Sequence, residues 1–258
     1  MNLSEFTAQC ILISGANSGI GAQLTEQLLR QGSRLIGLDQ KTEQLEKLAS
    51  QYPGQLLAYA VDVSDYQAVE QAVRQAQASL GPIDKLVCVA GILQMGKLWE
   101  LSPEQWERTF AVNTQGVFNV CKAVVPCMIE RRQGAIVNVS SNAATTPRAS
   151  MGAYAASKAA VTQLSRCLGL ELAEYGIRVN IVSPGSTDTA MQQAMWAQGS
   201  SREAVIAGAP EQFRLGIPLA RIATPEDITQ SILFLLSEQA RHITLHDLRV
   251  DGGATLDQ

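Results

Sequence analysis

Histidine is scarce in this chain: His242 and His246 are the only two in 258 residues, and they lie four apart. Four apart is ligand spacing on a helix, but Ile243-Thr244-Leu245 and Leu248-Arg249-Val250 around them favour extended chain. On a strand the two rings stand ~13 Å apart at ~3.3 Å per residue, too far to share an ion, so no metal centre is expected. Cysteine pairing is missing as well. Cys10, Cys88, Cys121, Cys127 and Cys167 are dispersed, with no Cys-x-x-Cys spacing. That pattern argues against a disulfide framework and for a reducing compartment, the cytoplasm. Charge is sparse too: 17% of residues are charged and the net charge is −4, which leaves no basic footprint for nucleic acid. Met1 to Gln9 shows no basic stretch leading into an apolar run, so no secretory signal is expected. The apolar run Ile232 to Leu236 is far too short to span a bilayer, so no membrane is expected as a partner.

Aliphatic material is plentiful. Hydrophobic residues make up 46% of the chain, enough for a substantial core and against disorder. Short β-branched runs predict strands at 10–14, 34–38, 56–61, 85–90, 135–139, 178–182 and 247–250. Amphipathic stretches predict helices at 20–31, 42–51, 65–79, 102–131, 152–175 and 225–237. Strands that read apolar on both faces, alternating with helices, imply a doubly wound, Rossmann-like α/β fold: a parallel sheet with helices on each side. Ser102-Pro103-Glu104-Gln105 reads as a capping box, with Leu101 and Trp106 placed for a hydrophobic staple, and Thr224-Pro225-Glu226-Asp227 repeats the cap-then-proline start. Pro126 predicts a kink or early end within 102–131. No repeat or linker interrupts residues 1–258, which read as one domain, with 184–223 a long connector of the kind used as a substrate flap.

The first predicted strand runs into Ser14-Gly15-Ala16-Asn17-Ser18-Gly19-Ile20-Gly21 and then a helix. Glycines there let the backbone turn tightly and approach a pyrophosphate, whose charge meets free N–H groups at the helix start. Asp39 closes the second strand, eighteen residues beyond Gly21. A carboxylate at that point accepts hydrogen bonds from adenosine ribose hydroxyls and repels a 2′-phosphate, and neither Ala16 nor Asn17 supplies a cation. NAD is the expected cofactor.

Tyr154-Ala155-Ala156-Ser157-Lys158 carries the chemistry, with Ser141 thirteen residues before the tyrosine. Residues four apart on a helix share a face, so the Lys158 ammonium can lie near the Tyr154 phenol and lower its pKa. That is one route to a tyrosine general base. Ser141 follows the 135–139 strand, at the carboxyl edge of the sheet where such folds bind ligands, and its hydroxyl could hold the reacting oxygen.

On the glycine turn, Ser141 and the Tyr154/Lys158 pair, the chain resembles the short-chain dehydrogenase/reductase family over essentially its whole length. The resemblance implies a seven-stranded parallel sheet, with Tyr154 as acid/base, Lys158 on the nicotinamide ribose and Ser141 orienting substrate. It implies that Asn113, in Phe110-Ala111-Val112-Asn113, links Lys158 to a proton relay. It implies cofactor contacts at Asp62-Val63, at Ala90-Gly91 and along Pro184, Gly185, Thr187 and Thr189. Cys88-Val89-Ala90-Gly91 departs from the family's usual Asn-Asn-Ala-Gly, which removes any family side-chain contact at 88. A homotetramer is implied too, with helices 102–131 and 152–175 and the last strand at its interfaces.

Within the family, the segments 90–96, 146–148, 183–189, 211–219 and 242–245 resemble a branch that oxidises small anionic cyclic dihydrodiols. Such a substrate carries a carboxylate, which Arg148 could pair with bidentately. Met95, Met151, Met191 and Trp196 are candidates for the apolar walls. Two other readings stay open: a broader ketone reductase, such as a ketoacyl-carrier-protein reductase, and a non-catalytic dinucleotide sensor on the same fold.

Overall fold

In a computed structural model of the chain, residues 3–196 and 201–256 are described; positions 1–2, 197–200 of the predicted flap, and 257–258 lie outside them. Seven strands form one sheet: β1 (Cys10–Ser14), β2 (Arg34–Asp39), β3 (Leu56–Ala60), β4 (Lys85–Cys88), β5 (Gly134–Val139), β6 (Ile177–Pro184) and β7 (Asp247–Val250). Their spatial order is β3-β2-β1-β4-β5-β6-β7, and every pairing is parallel. The order reverses between β1 and β4, which opens a crevice at the carboxyl ends of the strands.

The helices are α1 (Gly19–Arg30), α2 (Glu43–Gln51), α3 (Tyr66–Leu80), α4 (Pro103–Phe110), α5 (Gly116–Arg131), α6 (Gly152–Leu172), α7 (Ala190–Trp196), α8 (Arg202–Ala207) and α9 (Pro225–Leu236). Side-chain alternation along β1 divides the core into two. Leu12 faces Val69 and Val73 of α3, Val120 and Val124 of α5, and Val161 of α6. Ile11 and Ile13 face Leu24 and Leu28 of α1, Leu45 of α2, and Ile232 and Leu236 of α9. All five β1 residues are buried, and the first four, Cys10 to Ile13, form a continuous apolar run. Each fully buried Leu or Ile contributes about 1.5–3 kcal/mol relative to exposure.

The predicted capping box at Ser102 forms, and the predicted cap at Thr224 turns out to be a second one. Gln105 N–H donates to Ser102 Oγ at 3.3 Å while Ser102 N–H donates to Gln105 Oε1 at 3.0 Å. Asp227 closes the second box on Thr224 and takes two further hydrogen bonds from Arg221, at 2.6 and 2.9 Å.

The early end expected at Pro126 does not occur. The helix runs through it to Arg131, because Pro126 lies on the solvent face, where water can meet the carbonyl it leaves without a donor. The interruption comes earlier, as a π turn over Ala111–Gln115 between α4 and α5. Strand β4 ends two residues sooner than predicted, since the N–H groups of Val89 and Ala90 both turn to the Ser14 carbonyl at 3.0 Å. The long connector is also more ordered than its composition suggests. It contains α7, α8 and a 3-10 turn, and Val205, Ile217 and Ile222 pack with Ala254 into a small core of their own. Its two ends are tied by Asp188 N–H to Ala223 O (2.8 Å) and Ala223 N–H to Ser186 O (3.1 Å). Among the described residues no helix is long and apolar enough to cross a membrane.

Candidate active site

A cleft of about 390 Å³ follows the carboxyl edge of the sheet from β3 to β6. Its first wall is the glycine turn between β1 and α1. Gly15 has φ +74°, and a Cβ there would sit 2.6 Å from the Ala90 nitrogen. A Cβ on Gly21 would fall 1.9 Å from the Gly15 carbonyl oxygen, so the turn lies directly on the first coil of α1. Ser18, the N-cap of α1, makes no side-chain capping bond. Ser18, Gly19 and Ile20 line the cleft, and the first N–H groups of α1 lack the side-chain acceptor that capping supplies. This is a cradle that any side chain would fill and whose donors suit an anion, so it fits the pyrophosphate of a dinucleotide.

Asn17 and Gly21 do not line the cleft. Gly21 serves the packing just described. The Asn17 Oδ1 accepts the N–H groups of Gln44 (2.9 Å) and Leu45 (3.1 Å), capping α2 from outside where its own N-cap Thr42 makes no such bond. The Asn17 N–H in turn donates to Asp39 Oδ2 at 3.0 Å. Asn17 is thus a strut between the turn, β2 and α2. Asp39 lines the cleft with a carboxylate already oriented by backbone N–H groups, the second being that of Lys41 at 3.3 Å. Asp62 and Val63 line it beyond β3. Burial opposes the Asp62 charge, but hydrogen bonds from Ser64 and Arg108 more than offset this and hold the carboxyl below its usual range. Arg108 reaches Asp62 Oδ2 at 2.8 Å and Ser64 Oγ at 3.0 Å.

The middle of the cleft passes Ala90 and Gly91, then the carboxyl end of β5. Ser141 follows that strand and caps a short turn, its Oγ accepting Ala143 N–H at 3.1 Å. Tyr154 and Lys158 come from the first turns of α6, and Tyr154 is hydrogen-bonded with Ser141. Lys158 is 3% exposed; its Nζ donates to Val139 O at 2.9 Å and stands 5.8 Å from the centre of the Tyr154 ring. Burial lowers the Lys158 ammonium to about 8, with the Cys88 thiol opposing. The Tyr154 phenol is not lowered as the spacing predicts. Burial pushes it up, and the hydrogen bond with Ser141 pulls it back only in part. The Lys158 charge is directed at the Val139 carbonyl and is itself weakened by burial.

Asn113 sits beside this group but not in the cleft. Its Oδ1 accepts Ile92 N–H (2.8 Å), and its Nδ2 donates to Ile92 O (3.0 Å) and Ser157 Oγ (2.9 Å). Ser157 Oγ then donates to Tyr154 O at 2.7 Å. The Asn113 side chain therefore ties the β4 end to the backbone of α6 under Tyr154, with both of its amide hydrogens taken. Gly91 completes the contact: a Cβ there would lie 3.3 Å from Asn113 Oδ1 and 3.4 Å from Lys158 Nζ. Ser140 makes a second tie, its Oγ 2.7 Å from Thr162 Oγ1 and donating to Lys158 O at 3.0 Å. Ser157 and Ser140 were not legible as site residues, because serine inside an apolar helix or strand end carries no spacing signal.

The far end is closed by the connector. Pro184, Gly185, Thr187 and Thr189 line the cleft, and Thr189 Cγ2 lies 3.2 Å from where a Gly19 Cβ would stand, opposite the glycine turn. Met95, Met151, Met191 and Arg148 line it as well. Trp196 does not: it packs against the small core under the connector, and Met195 takes the wall position instead. Arg214, which sequence reasoning passed over, also enters the cleft.

The family model described as short chain dehydrogenase matches residues 9–199, and the chain belongs to that family. It is an oxidoreductase that works with a nicotinamide dinucleotide. Over 99% of both chains it is 48% identical to the 2,3-dihydro-2,3-dihydroxybenzoate dehydrogenase of Bacillus subtilis. Over 96% of both chains it is 50% identical to the vibriobactin-specific 2,3-dihydro-2,3-dihydroxybenzoate dehydrogenase of Vibrio cholerae. Among solved structures, a 3-ketoacyl-(acyl-carrier-protein) reductase of Brucella melitensis complexed with NADH aligns with TM-score 0.87 and 29% identity, over 97% of this chain and 100% of the other.

Proposed function

We propose that this chain oxidises 2,3-dihydro-2,3-dihydroxybenzoate to 2,3-dihydroxybenzoate with NAD, a step of catecholate siderophore synthesis. One observation carries the reading beyond the likeness to relatives. The carboxylates lining the cleft, Asp39 and Asp62, stand at its β2–β3 end, while the end holding Ser141 and Tyr154 is lined by Arg148, Lys158 and Arg214 and by no carboxylate among the described residues. An anionic diol suits that polarity; a neutral ketone gains nothing from it.

In this reading Ser141 holds the reacting ring hydroxyl and Tyr154 removes its proton. Lys158 grips the nicotinamide ribose and keeps a positive charge under the phenol. Asn113 holds the Tyr154 turn through Ser157. When bound, the oxidised nicotinamide supplies the acceptor for the ring carbon's hydride and a further positive charge beside Tyr154, which favours its phenolate. The ketone that results tautomerises to an aromatic catechol, so the oxidation runs one way. Met95, Met151 and Met191 supply apolar walls for the ring, and Arg148 is a partner for the carboxylate. The deciding assay follows NADH absorbance with the dihydrodiol acid and, separately, a ketoacyl thioester with NADH. Turnover of the thioester but not of the acid would replace this proposal with a broader ketone reductase.

NAD is preferred to NADP in this proposal because Asp39 would face a 2′-phosphate with its own charge. Asp39→Ala removes that repulsion, and we expect kcat/KM with NADP to rise by roughly tenfold, about 1.4 kcal/mol, while that with NAD falls. An unchanged ratio would remove Asp39 from the discrimination. The working unit in this proposal is one dehydrogenase domain over residues 1–258, its 184–223 flap over the substrate, in the cytoplasm and as a homotetramer. Phe118 on α5 (43% exposed) and Leu170 on α6 (71%) support association through those helices. Sedimentation at micromolar concentration should give the mass of four chains, and a monomer would end that part.

A further inference from the structure

The arm of the connector from 208 to 216 is built under local strain. Gly208 has φ +89°, and a Cβ there would lie 2.5 Å from the Gly216 nitrogen; a Cβ on Gly216 would lie 2.4 Å from Ile206 O. Two backbone segments therefore cross in contact, and only glycine fits at either crossing. Ala209 N–H donates to Arg214 O at 2.9 Å and Arg214 N–H to Ala209 O at 3.1 Å, closing the loop. At its tip Phe213 adopts φ +54°, a region bulky residues avoid, and is 96% exposed. Neither packing nor backbone preference at Phe213 accounts for this shape. What the turn achieves is to send consecutive side chains opposite ways, Phe213 to solvent and Arg214 into the cleft.

Arg214 arrives there without a counter-charge. Its one described side-chain hydrogen bond is from Nη2 to Ser186 Oγ, at a long 3.4 Å. Burial alone acts on the guanidinium and pushes its pKa down, with no acid opposing. Two of the other cations of the cleft have partners, Arg108 in Asp62 and Lys158 in the Val139 carbonyl under Tyr154, and Arg148 lines the cleft from the loop after Ser141. A second polar group lines the same cleft. Gln192 of α7 is 8% exposed and lines the cleft, and its amide nitrogen has no hydrogen-bond partner among the described residues. A half-buried cation and a buried donor, both unmatched, form an incomplete site whose missing member is an acceptor anion.

We propose that Arg214, together with Gln192, recognises the carboxylate of the substrate, so that the flap selects for acids more strongly than the Arg148 loop does. This rests on the dihydrodiol reading above and adds the residue that reads the acid.

The test compares wild type, Arg214→Gln, Arg214→Lys and Arg148→Gln, all at saturating NAD. Substrates are 2,3-dihydro-2,3-dihydroxybenzoate and the neutral cyclohexadiene diol lacking its carboxyl; 2,3-dihydroxybenzoate and catechol serve as product inhibitors. For Arg214→Gln we expect KM for the acid and Ki for 2,3-dihydroxybenzoate to rise about thirtyfold. The neutral diol's kcat/KM and the Ki of catechol should stay within about twofold, Arg214→Lys should recover part of the loss, and Arg148→Gln should lose less. Equal losses on charged and neutral ligands would make Arg214 a prop for the flap and overturn the proposal, as would an unchanged KM for the acid. A wild type that never oxidises the acid is a different result: it removes the functional reading itself.

Discussion

Replacing Tyr154 with Phe is expected to lower kcat for the dihydrodiol by about a thousandfold while leaving NAD binding within about twofold. The side chain is part of the wall of the cleft, hydrogen-bonded with Ser141, on a helix turn tied through Ser157 to Asn113. Phenylalanine keeps the ring and its packing, so the loss isolates the hydroxyl. The pH profile separates this from a structural effect. Burial pushes the phenol up, so across neutral pH only a fraction is phenolate. The wild-type kcat/KM for oxidation should therefore climb with pH by about tenfold per unit below that pKa. The residual activity of Tyr154→Phe should show no such climb. A variant that turned over at the wild-type rate, or kept the slope, would take the proton away from Tyr154.

The second large effect has two opposite parts. Lys158→Met should lower kcat/KM by at least about a hundredfold, and the variant should be more stable than the wild type at pH 7. Lys158 is 3% exposed and its ammonium is lowered by burial to about 8. A folded-state value below the ordinary 10.5 means that the unfolded chain holds the proton more tightly. The charged lysine thus costs about 3 kcal/mol below pH 8, a penalty that shrinks as pH rises and is gone near the unfolded value. Methionine fills the same channel without the charge. It also forfeits the bond to Val139 O, worth about 1 kcal/mol, so a net gain of about 1–2 kcal/mol is expected at pH 7. Urea titrations at fixed protein concentration, at pH 7 and again near pH 10, measure the difference and its disappearance. A variant less stable than wild type at pH 7 would mean that the Val139 bond outweighs the burial penalty.

Much of this was legible in the chain, and the reasons are physical. The buried β1 run and the caps at Ser102 and Thr224 are local patterns, and local patterns survive folding. The glycine turn and the Tyr154/Lys158 pair are legible because each requires fixed residue types at fixed spacing. What stayed hidden depends on partners far along the chain. Asn17 reads as one residue of the glycine turn, and nothing local shows that its side-chain oxygen takes the N–H groups of Gln44 and Leu45, twenty-seven and twenty-eight residues on. Asn113 reads as a relay member, and nothing in its spacing shows that Ile92 and Ser157 also take its amide. Arg214 lies in a stretch whose geometry comes from two glycines meeting backbone, and no spacing in the sequence marks it. The phenol's pKa failed for a related reason: spacing gives proximity to a charge, whereas burial is a property of the whole fold.

The π turn at Ala111–Gln115 carries a consequence for how this chain can change. It holds one residue more than an α-helix needs, and Gly116 at its end meets Val63, whose Cγ2 would lie 2.6 Å from a Cβ. At 3.6 residues per turn, losing that extra residue would rotate everything after it by about 100°. Val117, Val120 and Val124 would then leave the sheet together, and Asn113 would let go of Ile92. Descendants of this chain can therefore trade residues along α5 one by one, but a single-codon deletion there has no gentle intermediate. The helix is open to substitution and closed to shortening.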